Sequence, residues 1–482
     1  MNKKQLLMII AVILGLGAFA IYFQSDQMAS DTPDPEAVEV AGGTLTEGEF
    51  SEKFEKALAI IEEQYVDDVS EDELLQGAIK GMLETLEDPY SVYMSKEEAN
   101  QFTEALGSHF EGIGAEVMMT DGKVTIVTPM RESPAEQAGL QPNDKILKID
   151  GETIEGLSLS EAVMQIRGEK GTTVTLTIER AGSSELLDIP VVRDAIPIET
   201  VHYEMIEKDS LNIGLIQISS FSADTADRFK EALESLESDG MEGLVIDVRG
   251  NPGGYLDQVE DIGKLIIPDK QPIVQIQDRN GEKMRVISTL EERKSYPIVG
   301  ITDKSSASAS EILAGALIEG GNYDVVGEQT FGKGTVQQTL ALGDGSQLKL
   351  SVYKWLTAGG NDINGEGVMP TVEVKQPDYF YAAPLSIEDP LALDTMGEQV
   401  RNAQRMLKGI GFDTGREDGY FDEQTVKAVE EFQAANDLGV TGQIDQETAS
   451  VIQEVVVENV RDKENDAQFQ AALDLIIKQA TN

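Results

Sequence analysis

Between residues 193 and 378, short apolar runs alternate with amphipathic stretches. That alternation restricts what this part of the chain can fold into more than any other feature of the sequence. The runs Asn212–Ile218, Gly243–Val248, Ile273–Ile276, Ile298–Thr302 and Asp324–Val326 are strand-length and rich in Ile and Val. Ala223–Glu237, Leu256–Ile266 and Ser308–Ile318 read as helices between them. Strands that alternate with helices bury both faces of a sheet, so an α/β layer is expected here. Asp344–Tyr353 reads as a turn followed by a further strand.

The rest of the 482 residues is too long for one core, and several domains are expected. Lys3 and Lys4 precede an uncharged run, Gln5–Gln24. Its apolar part, Leu6–Phe23, would span about 27 Å as a helix, close to a hydrocarbon core of roughly 30 Å. The lysines place the N-terminus in the cytoplasm and the body outside. Ala18-Phe19-Ala20 resembles a cleavage site for a secreted signal. The apolar run continues through Ile21-Tyr22-Phe23, which favours a retained single-pass anchor. On either reading of residues 1–24 the body is extracytoplasmic. Residues 25–50 read as an acidic linker. In 51–103, Phe54, Leu58, Ile61 and Tyr65, then Leu75, Ile79, Met82 and Leu86, recur at helical spacing. Asp88-Pro89-Tyr90-Ser91 ends that region as a turn. Its helices are expected as a packing element or as an arm that pairs two copies into a homodimer.

Composition removes several kinds of chemistry. There is no cysteine, so disulfides, thiol nucleophiles and cysteine–metal sites are excluded. The two histidines, His109 and His202, are too few for a zinc triad, and both are expected to be structural. Asp and Glu number 87 against 38 Lys and Arg, a net charge of −49 that repels phosphate backbones and argues against nucleic acid. No cofactor or metal is implied. Two SxxK matches, Ser346–Lys349 and Ser351–Lys354, fall in alternating β-sequence, where residues i and i+3 point to opposite faces.

The remaining chemistry gathers around a serine cluster, Ser305-Ser306-Ala307-Ser308-Ala309-Ser310-Glu311, between the strand Ile298–Thr302 and the helix that follows. Serines at such a turn serve as N-caps. A nucleophile also suits it, because the helix N-terminus favours developing negative charge and the following N–H can stabilise an oxyanion. Lys333 lies between two glycines in Phe331-Gly332-Lys333-Gly334-Thr335-Val336-Gln337-Gln338. Asp247-Val248-Arg249-Gly250-Asn251-Pro252-Gly253-Gly254 is a glycine-rich loop after a buried strand, able to offer N–H donors.

Residues 104–192 carry short β-runs, Ala115–Met118, Lys123–Val127, Lys145–Ile149 and Thr173–Ile178, and a helix at Ser158–Ile166. Gly112-Ile113-Gly114, Ser133–Leu140 and Ile146–Gly151 resemble a PDZ domain. The resemblance implies that Gly112, Ile113 and Gly114 hold a terminal carboxylate, with Leu159, Val163 and Ile166 lining the groove beside an added peptide strand. Arg167, at the end of that helix, is a candidate latch between PDZ domain and protease, or a solvated cation at a helix end. Residues 395–455, with Gly411-Phe412-Asp413, Asp418–Asp422 and Gly442–Asp445, resemble a type 1 peptidoglycan-binding domain, a small all-α module. A charged helical tail, 456–482, follows.

Asp88–Ser91, the PDZ block, Arg249–Gly254, Ser306–Ile312, Phe331–Gln338 and Gly359–Pro370 together resemble the carboxyl-terminal processing (tail-specific) proteases over about residues 50–378. The resemblance implies a multidomain α+β chain with an α/β protease core at 193–378 and a PDZ domain inserted before it. It also implies a serine endopeptidase with Ser308 as nucleophile, Lys333 as general base and Gln337 as the orienting amide. Ala309 and the Gly253–Gly254 loop would form the oxyanion hole, with Gly254 ahead of Gly253. The substrates would be proteins or peptides with a free C-terminus. The alternative is an inactive wall-bound scaffold of the same fold, against which the intact Ser308, Lys333 and Gln337 argue.

Overall fold

The computed structural model describes residues 47–120, 122–180 and 185–481, and the chain divides into two compact units between Tyr93 and Met94. The expected membrane segment lies outside the described residues. Among those described, no helix is long and apolar enough to cross a membrane.

The first unit contains two helices, Glu47–Gln64 and Glu71–Glu84. The first starts inside the stretch read as linker. The second opens on a capping box in which Ser70 and Glu73 each satisfy the other's backbone N–H. Phe54, Ile61, Tyr65, Leu75, Met82 and Leu86 of the two expected stripes are exposed. The Asp88 carboxylate closes the following turn by accepting from Tyr90 N–H and the Ser91 hydroxyl.

In the second unit the PDZ-like region is an antiparallel sheet in the order Ala115–Thr120, Lys123–Pro129, Lys145–Ile149, Thr173–Glu179, Leu187–Val192. Ile126, Ile146, Leu176 and Ile178 form its core with Ala135 and Ala162 from two short helices. The chain enters along His109–Gly112 and leaves along Asp194–Pro197, and these segments pair with each other. The insertion therefore hangs from the protease on a two-stranded stalk. Arg193, just before the second stalk strand, is buried, and its guanidinium donates to the Gln165 and Ile166 carbonyls at the end of helix Leu159–Ile166.

The protease core is a six-stranded sheet in the order Val201–Lys208, Leu211–Ile218, Gly243–Asp247, Ile298–Thr302, Asp324–Gly327, Val372–Glu373. The first pair is antiparallel and the others are parallel. Helices Thr225–Ser238, Leu256–Ile266 and Ala309–Gly315 pack Phe229, Leu233, Val259, Ile262, Ile312 and Leu313 into the core cluster on this sheet. The last of these continues as a π-helical turn, Ala316–Gly320.

One strand assignment needs correction. The run at 273–276 forms Pro272–Gln277, which is not in this sheet. It pairs antiparallel with Lys283–Ile287 and Gln347–Leu356 in a second sheet, and Gln347–Leu356 also pairs with Thr335–Ala341. A buried apolar run records burial but not the partner strand, so sequence pattern cannot separate the two sheets.

Helices Glu398–Gly409, Glu423–Ala435 and Gln446–Arg461 form a third core around Phe421, Val429, Phe432 and Ile452. Two fully buried glutamines brace its loops. Gln404 bonds Gly419 N–H and the Tyr420 carbonyl, and Gln433 bonds Gly442 N–H and the Gln443 carbonyl. The tail therefore begins later than 456, because Val456 belongs to this core. The final helix, Ala467–Ala480, returns to the protease sheet and packs Phe469, Ala472, Leu473 and Ile476 on Ile213, Leu215, Val245, Val299 and Ile301. The protease sheet is thus covered on its second face by the end of the chain.

Candidate active site

Three loops leave the carboxyl ends of three neighbouring parallel strands, where sheets of this kind place their ligands. Arg249–Gly254 follows Gly243–Asp247, the serine cluster follows Ile298–Thr302, and the Lys333 loop follows Asp324–Gly327.

The serines differ in what holds them. Ser306 is fully buried, and its hydroxyl donates to the Val248 carbonyl at 2.9 Å. Ser310 is fully buried, and its hydroxyl donates to the Asn251 carbonyl at 3.0 Å. Both stitch the serine loop to the glycine loop, as does the Ala307 N–H bond to the Asn251 carbonyl. Ser308 is half-buried, at φ 54°, ψ −112°. A side chain other than glycine rarely takes that conformation, and strain of this kind collects at functional sites.

Glu311 ties the serine to the lysine loop. The carboxylate is fully buried. One oxygen accepts Ser308 N–H at 2.8 Å and Lys333 N–H at 2.9 Å. The other accepts Gly332 N–H and the Thr330 hydroxyl, both at 2.6 Å. Lys333 is half-buried, and its carbonyl accepts the indole N–H of buried Trp355. Its flanking glycines are required by close backbone approach. A Cβ at Gly332 would sit 3.0 Å from the Glu366 nitrogen, and one at Gly334 would sit 2.8 Å from the Asn364 Cβ. Gln337 lies on the neighbouring strand, where its amide nitrogen donates to the Thr335 and Ser351 hydroxyls.

The glycine loop approaches Ser308 directly. A Cβ on Gly253 would lie 2.8 Å from the Ser308 Cβ and 3.1 Å from the Ala309 nitrogen. Gly253 N–H donates to the Asn251 side chain at 2.8 Å. Among the described residues, Gly254 N–H and Ala309 N–H have no acceptor. Gly254 admits no side chain, because a Cβ would meet the Phe221 carbonyl oxygen at 2.1 Å. Two free N–H groups beside a hydroxyl can hold the oxygen of a tetrahedral intermediate.

These loops combine a reachable serine, a lysine and two unpaired backbone donors. Residues 212–374 match peptidase family S41, and 112–191 match the PDZ domain family. Residues 396–452 match a peptidoglycan binding domain, and 13–98 match the activating protease CtpB N-terminal domain. The carboxy-terminal processing protease CtpB of Bacillus subtilis is 50% identical over 474 residues, covering 98% of this chain and 99% of that one. CtpA of the same organism is 40% identical over 428 residues, 89% and 90% of the two chains. The chain belongs to the carboxy-terminal processing proteases of peptidase family S41. Among solved structures, the photosystem II D1 C-terminal processing protease matches with 27% identity and a TM-score of 0.41, over 67% of this chain and 92% of that one.

In this processing protease the PDZ domain has an edge strand. Ala115–Thr120 pairs on one side only. Gly112 lies in the stalk, opposite Asp194, and not in the open turn. Ile113 is buried in the PDZ core, and its carbonyl accepts Ala135 N–H. Among the described residues, Ile113 N–H and Gly114 N–H have no acceptor. Gly114 has φ 71°, and a Cβ there would lie 2.5 Å from the Ser133 Cβ. On the helix, Ile166 is buried in the core, whereas Leu159 and Val163 are half-buried. Arg167 lies over the Phe110 ring and 3.4 Å from the Glu104 carboxylate of helix Lys96–Leu106, just before the stalk. His109 and His202 are both exposed, on strands outside these loops.

Glu311 carries no catalytic signature in the sequence. Its position three residues after Ser308 is a capping-box signal, which marks a helix start and gives no hint of a bond to the lysine loop. Glu311→Ala removes an acceptor from four donors at once. Unfolding is expected about 3 kcal/mol more easily, read by denaturant titration. The rate of peptide cleavage is expected to fall roughly a hundredfold through misplacement of both loops.

Proposed function

We propose that this protease is a membrane-anchored, extracytoplasmic endopeptidase that captures the C-terminus of a substrate protein in its PDZ groove and cleaves the nearby chain with Ser308. Lys333 takes the serine proton, and Gln337 orients the amine. The Gly254 and Ala309 N–H groups hold the oxyanion, in preference to Gly253, whose N–H is occupied by Asn251. The observation that carries the reading is that Ser308 is reachable and strained, while Ser306 and Ser310 are buried and bonded to carbonyls.

The proposed step is an acyl transfer. The Ser308 hydroxyl oxygen adds to the scissile carbonyl carbon as its proton passes to neutral Lys333. Collapse expels the amine, which takes the proton back from Lys333. Water then repeats the sequence on the ester and frees Ser308.

The three-helix module would hold the enzyme to peptidoglycan without taking part in the chemistry. The exposed stripes of the first unit favour pairing with a second copy. The N-terminal apolar run, Leu6–Phe23, supports the anchor.

Peptides that differ only at the C-terminus test the capture step. The unpaired Ile113 and Gly114 N–H groups suit a carboxylate, and a charge-assisted bond contributes about 1.5–3 kcal/mol. Amidation of the substrate is therefore expected to reduce kcat/KM roughly tenfold or more. Equal rates for acid and amide remove terminal capture from the mechanism.

A further inference from the structure

We propose that the last helix of the chain is part of the active-site scaffold. Asp466, acting through Arg249, positions the loop that presents the Gly254 N–H. This rests on the reading of Ser308 and Gly254 given above.

The glycine loop is held at several points. Gly250 N–H donates to Asp303, a carboxylate that also accepts from Ser305 and Ser306 N–H. The Asn251 amide donates to the Ile218 carbonyl, and Gly254 lies against Phe221. All of these partners come from the protease core. The anchor at Arg249, where the loop begins, also draws on the tail.

The Arg249 guanidinium folds back on Asp247, with Nε 2.9 Å from one carboxylate oxygen and a terminal nitrogen 2.7 Å from the other. Its outer edge meets Asp466, with nitrogen–oxygen distances of 2.9 and 2.8 Å, and the Gln468 side-chain oxygen at 3.1 Å. Asp466 is also the N-cap of helix Ala467–Ala480. It accepts Phe469 N–H at 2.9 Å and the Gln376 amide at 2.6 Å. Burial pushes its carboxyl up, but the guanidinium and these donors outweigh that and hold it below the ordinary aspartate range.

The same helix grips the other end of the same strand. Gly243 starts the strand that ends at Asp247, and a Cβ there would lie 2.3 Å from Ile476 Cγ2. Ile476 thus seats at the strand's first residue and Asp466 at the loop beyond its last. The helix lies along the strand and fixes where the strand delivers the loop. A carboxylate 217 residues after Arg249 in sequence therefore bears on the position of the Gly254 donor.

A positioning role differs from a packing role in what it changes. In the full chain, Asp466→Asn is expected to lower kcat roughly tenfold to a hundredfold with KM within twofold of the parent. The probe is a peptide aldehyde, whose carbonyl carbon takes up the Ser308 oxygen so that its own oxygen occupies the oxyanion position. Its affinity should fall by the same factor as kcat, and Asp466→Glu should recover most of both. Unchanged aldehyde affinity in folded Asp466→Asn overturns the inference, whatever KM does. Should Asp466→Asn fail to fold, hydrogen exchange of the unaltered chain across a denaturant series decides the matter. Opening of 249–254 and 467–480 with one free energy supports the inference, and independent opening of the loop overturns it. Cleavage that persists in Ser308→Ala removes the underlying serine assignment. A dead Ser308→Ala beside a fully active Asp466→Asn removes only the role of the tail.

Discussion

Ser308→Ala is expected to eliminate peptide cleavage, a loss of at least about 10⁴-fold in kcat, while the protein unfolds at the parental midpoint. The substitution deletes one oxygen from a half-buried side chain that bonds no neighbouring carbonyl in the way Ser306 and Ser310 do. The Ser308 backbone N–H keeps its bond to Glu311, so the turn retains its main anchor. Ser306→Ala and Ser310→Ala each delete a buried hydroxyl bonded to a carbonyl. They are expected to cost about 1 kcal/mol of stability and to keep activity within about tenfold of the parent. Turnover of an unstructured substrate and denaturant midpoints for the three variants provide the check. Parental turnover in Ser308→Ala would move the nucleophile elsewhere.

Lys333→Arg is expected to lower turnover by about 10³-fold even though it keeps the positive charge. A lysine accepts a hydroxyl proton only when neutral, and at its ordinary pKa of about 10.4 only about one molecule in 2,500 is neutral at pH 7. General bases of this kind contribute about 10²–10⁴-fold. A guanidinium stays charged throughout the working range. With Lys333 as base, the rate rises with pH as the amine loses its proton, through a single ionisation. A flat profile from about pH 6 to 10, with chemistry rate-limiting, or retained cleavage in Lys333→Arg, would exclude it.

The reach of sequence differs between these residues for a physical reason. The strands Ile298–Thr302 and Asp324–Gly327 and the helix Leu256–Ile266 are legible because local burial writes a local pattern. The serine turn, the Gly-Lys-Gly segment and the glycine loop are legible too, since backbone that must approach closely excludes side chains at fixed positions. Family resemblance extends this to a processing protease and ranks Gly254 ahead of Gly253, but it carries no physical reason for the order. The proposed preference for Gly254 draws on a side-chain contact that no motif records, the bond from Gly253 N–H to the Asn251 side chain.

The sequence by itself determined the fold class, the order of domains and the residue types available for chemistry. The α/β core follows from periodicity and the excluded chemistries from composition, whereas the PDZ and peptidoglycan-binding modules follow from family resemblance. Only the tertiary structure decided which sheet received Pro272–Gln277, which carboxylate joined Ser308 to Lys333, and that the tail covers the protease sheet. Those outcomes join groups far apart in the chain. An amphipathic helix such as Ala467–Ala480 records that one face is buried, but no local feature of it records what that face meets.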